Sequence, residues 1–172
     1  MATEKEDKNE VIAAIGSAVS ELAGLMSSVE NDKVNIIPYE GSWTAPQLLR
    51  HVTKSISGMA KAMHMDAKPA NRDPGERIEE LKTVFMDFSK KMNSPEFIVP
   101  EDKMYEKQTS IDDLNQSFDQ FEENTKTTNL NELVEGLPLG PVTKLELIHF
   151  TLFHTQRHLN QMKKICNALK EK

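Results

Sequence analysis

Apolar residues recur at alternating spacings of three and four along the 172-residue chain, and this repeat constrains the fold more than any other feature. Such spacing places the side chains on one face of an α-helix that packs within a bundle. The first such series is Ile12, Ile15, Val19, Leu22, Met26 and Val29. Similar series run through 49–63, 78–92 and 111–121. The chain is therefore predicted to be all-α.

Capping residues predict where the later helices begin. Thr44 is followed three residues later by Gln47, and Thr143 in the same way by Glu146, so each pair can form a capping box. Asp73 precedes a proline that suits the first helical position, and Ser110 with Asp113 opens a fourth helix. The last helix is predicted to reach about residue 168, which gives five helices in all.

Proline and glycine mark the connections at 30–43, 94–109 and 126–142. The last is predicted to be a loop with one short turn at most. The long connection 94–109 favours a bundle in which consecutive helices are not always neighbours. Residues 1–8 are predicted to be a disordered tail and residues 9–170 a single helical domain.

Composition excludes several classes of protein. A net charge of −6 argues against nucleic acid as the main partner. A single cysteine, Cys166, excludes an internal disulfide framework, cysteine-rich zinc sites and CxxC redox chemistry. The charged N-terminus does not have the pattern of a signal peptide, and we expect no membrane span. The sequence therefore predicts a cytoplasmic protein.

Two of the five histidines, His154 and His158, lie four residues apart in the last helix, about 40° from each other around its axis. Two imidazoles in this relation can bind one metal ion. His51 is the best third ligand because it lies mid-helix beside the apolar residues Leu48 and Val52. The alternative is a half-buried His51 that bonds only to a backbone carbonyl.

Other metal chemistries fit the spacing less well. Thr155 follows His154, so the HExxH helix of zinc proteases is excluded. Glu146 and His149 match half of a di-iron motif, but no second such pair exists. His64 and His149 are interpreted as surface or packing residues.

Two segments together resemble the DinB/YfiT-like superfamily. Residues 43–52, WTAPQLLRHV, resemble its signature W-S/T-x-x-E/Q-x-L-x-H. Residues 139–143 followed by 154–161, HTQRHLNQ, resemble its closing helix, HxxxHxxQ. The resemblance implies a four-helix bundle with an additional helix and a metal held by His51, His154 and His158. Gln161 matches the family's glutamine, which could orient a ligand or a bound water.

The resemblance also implies a function. Characterised members transfer low-molecular-weight thiols such as bacillithiol, mycothiol or glutathione, or isomerise maleylpyruvate with the help of a thiol. We therefore expect a metal-dependent, thiol S-transferase-like enzyme that acts on a small electrophile. The alternatives are a metal-dependent hydrolase and a non-catalytic, stress-associated or binding protein whose metal site is structural.

Three neutral imidazoles leave an open coordination position, the pattern of catalytic rather than structural sites. Zinc or nickel is the expected metal, and iron and manganese are also compatible with the ligand set. A low-molecular-weight thiol is the expected second cofactor, the substrate is expected to be a small molecule, and the apolar helix faces permit a homodimer. A hydrolase would also need a general base. Glu40, Glu101 and Asp102 lie in loops, and the sequence does not place them.

Overall fold

The computed structural model describes the backbone of residues 2–172 and the side chains from Lys8 onward. It contains five α-helices, which confirms the all-α prediction: α1 (Ala2–Ser28), α2 (Ala45–Ala62), α3 (Ile78–Phe85), α4 (Lys107–Thr125) and α5 (Lys144–Lys170). Short 3₁₀ turns lie at Asn31–Lys33 and Glu96–Ile98.

Helices α1, α2, α4 and α5 form a four-helix bundle, and α3 packs on α5 as the additional helix. Within the bundle α1 and α2 each pack against both α4 and α5, so α1 and α2 are diagonal to each other. The core lies between the four helices, where Ile15, Leu48, Leu114 and Leu147 have no exposed surface. Each such side chain contributes about 1.5–3 kcal/mol to stability through its burial. The arrangement brings α2 and α5, which carry the histidine motifs, side by side.

The two predicted capping boxes are confirmed. At the start of α2 the backbone N–H of Thr44 donates to Oε1 of Gln47 (2.9 Å), and the N–H of Gln47 donates to Oγ1 of Thr44 (3.4 Å). At the start of α5 the same reciprocal bonds join Thr143 and Glu146 at 2.9 and 3.1 Å. These boxes satisfy N–H groups that would otherwise lack a partner.

Two other predicted helix starts are wrong. The N–H of Gly75 donates to Oδ2 of Asp73, so Asp73 closes a turn, and α3 begins only at Ile78. Helix α4 begins three residues before Ser110, because the carboxylate of Glu106 accepts from the N–H groups of Gln108 (2.9 Å) and Thr109 (2.6 Å) and caps it. The sequence pattern favours Ser110 as the cap because serine and aspartate cap helices more often than glutamate does.

Helix α3 is also shorter than predicted, since it ends at Phe85 and the apolar series continues to Met92. From Phe85 onward the guanidinium of Arg157 donates hydrogen bonds to backbone carbonyls that would accept from backbone N–H groups in a longer helix. Phe88 and Met92 are consequently partly exposed.

The segment 126–142, predicted to be a loop, contributes to a small antiparallel sheet that also includes a short strand between α2 and α3. Its order is β1 (Lys68–Pro69), β2 (Glu132–Val134) and β3 (Val142–Thr143). Strands of two or three residues are too short to show an alternating pattern in the sequence. Because β3 runs directly into α5, the sheet fixes the start of the helix that carries His154 and His158.

The predicted tail falls largely outside the description: Met1 is not described, nor are the side chains of residues 2–7. The backbone of α1 begins at Ala2. The division into a tail of residues 1–8 and a domain of residues 9–170 stays a prediction.

One stretch of α1, Lys8–Ser28, is long and apolar enough by length and composition to cross a membrane, although no such run was expected. The core helix of a soluble bundle passes the same test, and here Leu22 and Met26 of α1 are fully buried between the other helices. The stretch is therefore weak evidence for a membrane span.

Candidate metal centre

Three histidine side chains from two helices meet at one point. The distance between Nε2 of His51 and Nε2 of His158 is 2.9 Å, and each lies 3.2 Å from Nε2 of His154. All three side chains are buried, with 1%, 6% and 8% of the surface exposed for His51, His154 and His158. Among the residues from Lys8 onward this is the only group of three or more potential ligands with the spacing of a metal site.

Hydrogen bonds at the far nitrogen fix two of the rings. Nδ1 of His51 lies 3.0 Å from the carbonyl oxygen of Ile98, and Nδ1 of His158 lies 2.9 Å from Oε1 of Gln161. Because both partners are acceptors, each Nδ1 carries the hydrogen and donates it. Each Nε2 therefore presents a lone pair to the other, the arrangement found in metal-binding histidines.

Two lone pairs 2.9 Å apart repel each other unless a cation lies between them. With nitrogen–metal bonds of about 2.0–2.1 Å, ligand nitrogens are about 3.3–3.4 Å apart in a tetrahedral site and about 2.8–3.0 Å apart on one face of an octahedral site. The observed 2.9 Å matches the octahedral value, and the two distances of 3.2 Å lie between the octahedral and the tetrahedral values. The three nitrogens are thus spaced to occupy one face of the coordination sphere of a transition-metal ion.

Burial keeps the imidazoles neutral. Burial lowers the pKa of His51. It also lowers the pKa of His154 well below its usual value, and the charges of His158 and His51 lower it further. The pKa of His158 falls to about 3, first through burial and then through His51. Neutral imidazole is the form that binds metal, so all three residues are ready to act as ligands at neutral pH.

Aromatic side chains hold the histidine rings in place. The ring of Trp43 lies 4.9 Å from that of His51, and Phe150 lies 5.3 Å from His154. Phe85 at the end of α3 is 6.3 Å from His154 and packs edge-on against Phe150. Trp43, which lies just before α2, thus contacts a histidine of the group directly.

The three histidines line a cavity of about 1290 Å³ between α2, α5 and the segment that follows α3. Its wall is partly aromatic and carries seven lysine or arginine side chains. No aspartate or glutamate of the described residues lines it. The histidine group is therefore open to a space large enough for more than one small molecule.

Arg157 lies on α5 directly before His158 and lines the cavity. Its guanidinium donates to the carbonyl oxygens of Phe85 (3.2 Å), Asp87 (2.9 Å) and Lys90. It therefore fastens the segment after α3 to α5, next to His158. No motif signals this role, because the partners are backbone atoms.

The remaining candidates lie outside the histidine group. His64 is exposed, and His149 is buried with its Nδ1 3.1 Å from the carbonyl of Leu145. Glu146 is bound by Arg72 (2.7 and 2.8 Å) and by the backbone N–H of Arg77. Cys166 is buried, does not line the cavity, and its pKa is raised by burial.

None of the three loop acids considered as a general base lines the cavity. Glu101 pairs with Arg50 (3.1 Å) and Lys54 (2.8 Å), and these bonds hold its pKa far below the usual range. It also accepts from the hydroxyl of Tyr105 at 2.9 Å. A carboxylate bound in this way is a poor proton acceptor.

A family model described as the DinB superfamily matches residues 15–162, which is most of the chain and includes all three histidines and Gln161. No curated protein and no solved structure matches the chain.

Proposed function

The chain belongs to the DinB superfamily, and on this premise we propose that it is a metal-dependent enzyme that transfers a low-molecular-weight thiol to a small electrophile. His51, His154 and His158 would bind one divalent metal ion, zinc or nickel in the first instance. The observation that carries the proposal is the convergence of three histidine Nε2 atoms, 2.9–3.2 Å apart, at the wall of a large cavity.

Three protein ligands favour a catalytic site over a structural one. Structural zinc sites are closed by four protein ligands, whereas catalytic sites keep a position for water or substrate. Here no fourth histidine, cysteine or carboxylate of the described residues joins the group. The cavity supplies the space that an exchanging ligand needs.

When bound, such a metal ion supplies a positive charge that lowers the pKa of a thiol and so raises the fraction of reactive thiolate. The chain's own residues bind and orient. His51 and His158 keep fixed tautomers through Ile98 and Gln161, and the aromatic side chains that pack against the histidine rings hold them in position. In the transfer, a sulfur–carbon bond replaces the bond to the leaving group, which departs with the electron pair while the thiol proton passes to solvent.

The absence of carboxylates from the described cavity lining favours thiol transfer over hydrolysis. A hydrolase of this kind needs a general base within hydrogen-bond reach of the attacking water. A thiol of low pKa needs no such base once it is ionised. The hydrolase is therefore the second candidate, and a non-catalytic protein with a structural metal site is the third.

The first test is metal content, measured by mass spectrometry on tag-free protein. The wild type is compared with His51→Ala, His154→Ala and His158→Ala, with His64→Ala as the matched control because His64 is exposed and outside the group. We expect about one equivalent in the wild type and the control and a loss in the other three. A wild type that binds no zinc, nickel, iron or manganese would overturn the proposal.

The second test is a thiol screen on metal-loaded protein. Glutathione, bacillithiol, mycothiol and cysteine are each supplied with chlorodinitrobenzene, whose chloride is displaced by sulfur. We expect turnover with at least one thiol, unchanged in His64→Ala and reduced about 100-fold or more in His154→Ala, since removing a metal-binding residue removes the metal's contribution. Metal-loaded protein with no thiol-dependent turnover would favour the other two candidates.

A further inference from the structure

Cations line the cavity on three sides, although the chain as a whole is acidic. Helix α2 contributes Arg50, Lys54 and Lys61, the segment after α3 contributes Lys90 and Lys91, and α5 contributes Arg157 and Lys164. The chain has 27 aspartates and glutamates against 21 lysines and arginines, so a charged lining drawn at random would be acidic in more than half of its positions. Among the described residues, the cavity lining contains no aspartate or glutamate, so it differs in charge from the chain as a whole.

Helix geometry explains how the cations come together. Arg50, Lys54 and Lys61 are separated by four and seven residues, and Arg157 and Lys164 by seven, so each set lies on one face of its helix. The two faces flank the cavity that the histidines share. The cations thus line the same cavity as the three histidines.

Three of these cations have no partner in the described part of the chain. Arg50 and Lys54 share Glu101, Lys90 lies 3.6 Å from Asp87, and Arg157 is committed to backbone carbonyls. In contrast, Lys61, Lys91 and Lys164 form no ion pair with any described residue. They come from α2, from the segment after α3 and from α5, and all three side chains are exposed.

The rest of the lining is suited to an apolar body. Phe85, Phe88, Phe97 and Phe150 line the cavity, and 67% of the surface of Phe97 is exposed. Ser55 lies one helical turn after His51, is 6% exposed, and its hydroxyl has no hydrogen-bond partner among the described residues. The cavity therefore offers aromatic contact, neutral hydrogen bonding and positive charge within one space.

We propose that this cavity selects an anionic small molecule, one with an apolar body and two or more carboxylate, sulfonate or phosphate groups that Lys61, Lys91 and Lys164 bind. The inference rests on the proposed function, since it names the chemical class of the molecule that reacts there. Exposed ion pairs are individually weak, so the selection comes from several cations that act on one ligand. It is also expected to weaken as salt concentration rises.

Binding is measured by isothermal titration calorimetry with two nearly isosteric probes, 2-naphthoate and 2-naphthamide, which differ in charge. A third probe, 2,6-naphthalenedicarboxylate, adds a second carboxylate to the same ring system. On metal-loaded wild type we expect the affinity to rise about tenfold from the amide to the monoanion and further for the dianion. Equal affinities for all three probes would overturn the proposal.

The variant that tests the lysines is Lys61→Gln/Lys91→Gln/Lys164→Gln, measured beside Lys82→Gln/Lys170→Gln/Lys172→Gln. The three control lysines are exposed, do not line the cavity, and likewise form no ion pair in the described residues, so both variants lose the same charge. We expect the first to bind the dianion about tenfold more weakly and the control to stay within about twofold of wild type. If both variants lost the same affinity for the dianion, the effect would come from the net charge of the protein and not from the three cavity lysines, and the proposal would be contradicted.

Metal content is measured on the same samples, because a carboxylate could also bind the metal directly. The His154→Ala protein should keep its preference for the dianion over the amide, since the lysines are intact. If the wild type holds metal but shows no anion preference, the anionic ligand class is wrong and the metal-dependent function stands. If it holds no metal but prefers the dianion through the three lysines, the proposed function fails and the anion site stands.

Discussion

Gln161 and His158 face each other one helical turn apart, and Oε1 of the amide accepts a hydrogen bond from Nδ1 of the imidazole at 2.9 Å. This bond gives the imidazole a tautomer whose Nε2 lone pair points to His51 and His154. The sequence suggested that Gln161 orients a ligand or a bound water. In the structure its amide is hydrogen-bonded to His158.

Replacing Gln161 by leucine should weaken metal binding without removing it. The loss of a group that orients a metal-binding histidine lowers affinity about 10–100-fold. The measurement is competition with a chelator of known affinity, with Asn160→Leu as the control because Asn160 also lines the cavity but has no bond to a histidine. Unchanged affinity in Gln161→Leu would show that the bond does not orient His158.

Replacing Arg157 by methionine should loosen the segment after α3. The guanidinium binds the carbonyls of Phe85, Asp87 and Lys90, and hydrogen bonds to a charged group are each worth about 1.5–3 kcal/mol when buried. Because part of this contact is exposed, we expect a fall of about 1–2 kcal/mol in the free energy of unfolding. Hydrogen exchange should also become faster at residues 86–95.

The control for Arg157 is Lys163→Met, which removes a charge from the same helix together with an exposed ion pair to Glu21 that is worth at most about 1 kcal/mol. It should leave both the stability and the exchange of residues 86–95 close to wild type. An Arg157→Met protein with the exchange pattern of this control would mean that the segment is held by its other contacts, such as the bond from Lys54 to the carbonyl of Val99.

The Glu146–Arg72 pair should make stability depend on acid pH. Although burial by itself raises the pKa of Glu146, the bonds from Arg72 and from the N–H groups of Thr143 and Arg77 lower it below the ordinary value. A carboxyl whose folded pKa is lowered contributes stability that is complete above its unfolded pKa of about 4.3. That contribution is lost as the pH falls through the folded pKa.

We therefore expect Glu146→Gln to lose about 2–3 kcal/mol at pH 7, below the roughly 3–5 kcal/mol of a fully buried pair because Arg72 is partly exposed. The difference from wild type should shrink as the pH falls below about 4. Urea unfolding at several pH values measures it, with Glu80→Gln as the control because the Glu80–Arg77 pair is exposed at the carboxylate. A constant difference at all pH values would contradict the account of Glu146.

Added metal should stabilise the fold through the three histidines. A ligand that binds only the folded state adds about 2.7 kcal/mol when its free concentration is 100 times its Kd. Thermal unfolding with excess zinc or nickel should therefore show a higher Tm for wild type and for His64→Ala. The three single histidine variants should show little or no rise, and a full rise in His51→Ala would remove His51 from the metal site.

The sequence determined that five helices exist, where the two capping boxes lie, and that His154 and His158 share a helix face, because each of these rests on local chemistry. A 3–4 apolar spacing, a threonine three residues before a glutamine or glutamate, and the pair His154–His158 can all be recognised within a few residues of chain. The family resemblance then associated His51 with that pair across about a hundred residues, and the match over residues 15–162 confirms the family.

Only the tertiary structure decided what surrounds the histidines. Each of these features brings together segments that are distant in sequence. They are the contact of the Ile98 carbonyl with His51, the hydrogen bonds from Arg157 to the end of α3, and the positions of the three lysines around the cavity. The glutamate cap of α4 and the small sheet before α5 were likewise invisible, the first because glutamate caps are uncommon and the second because its strands are too short. Local chemistry sets the elements, but the cavity depends on how α2 and α5 pack, and packing is a property of the whole chain.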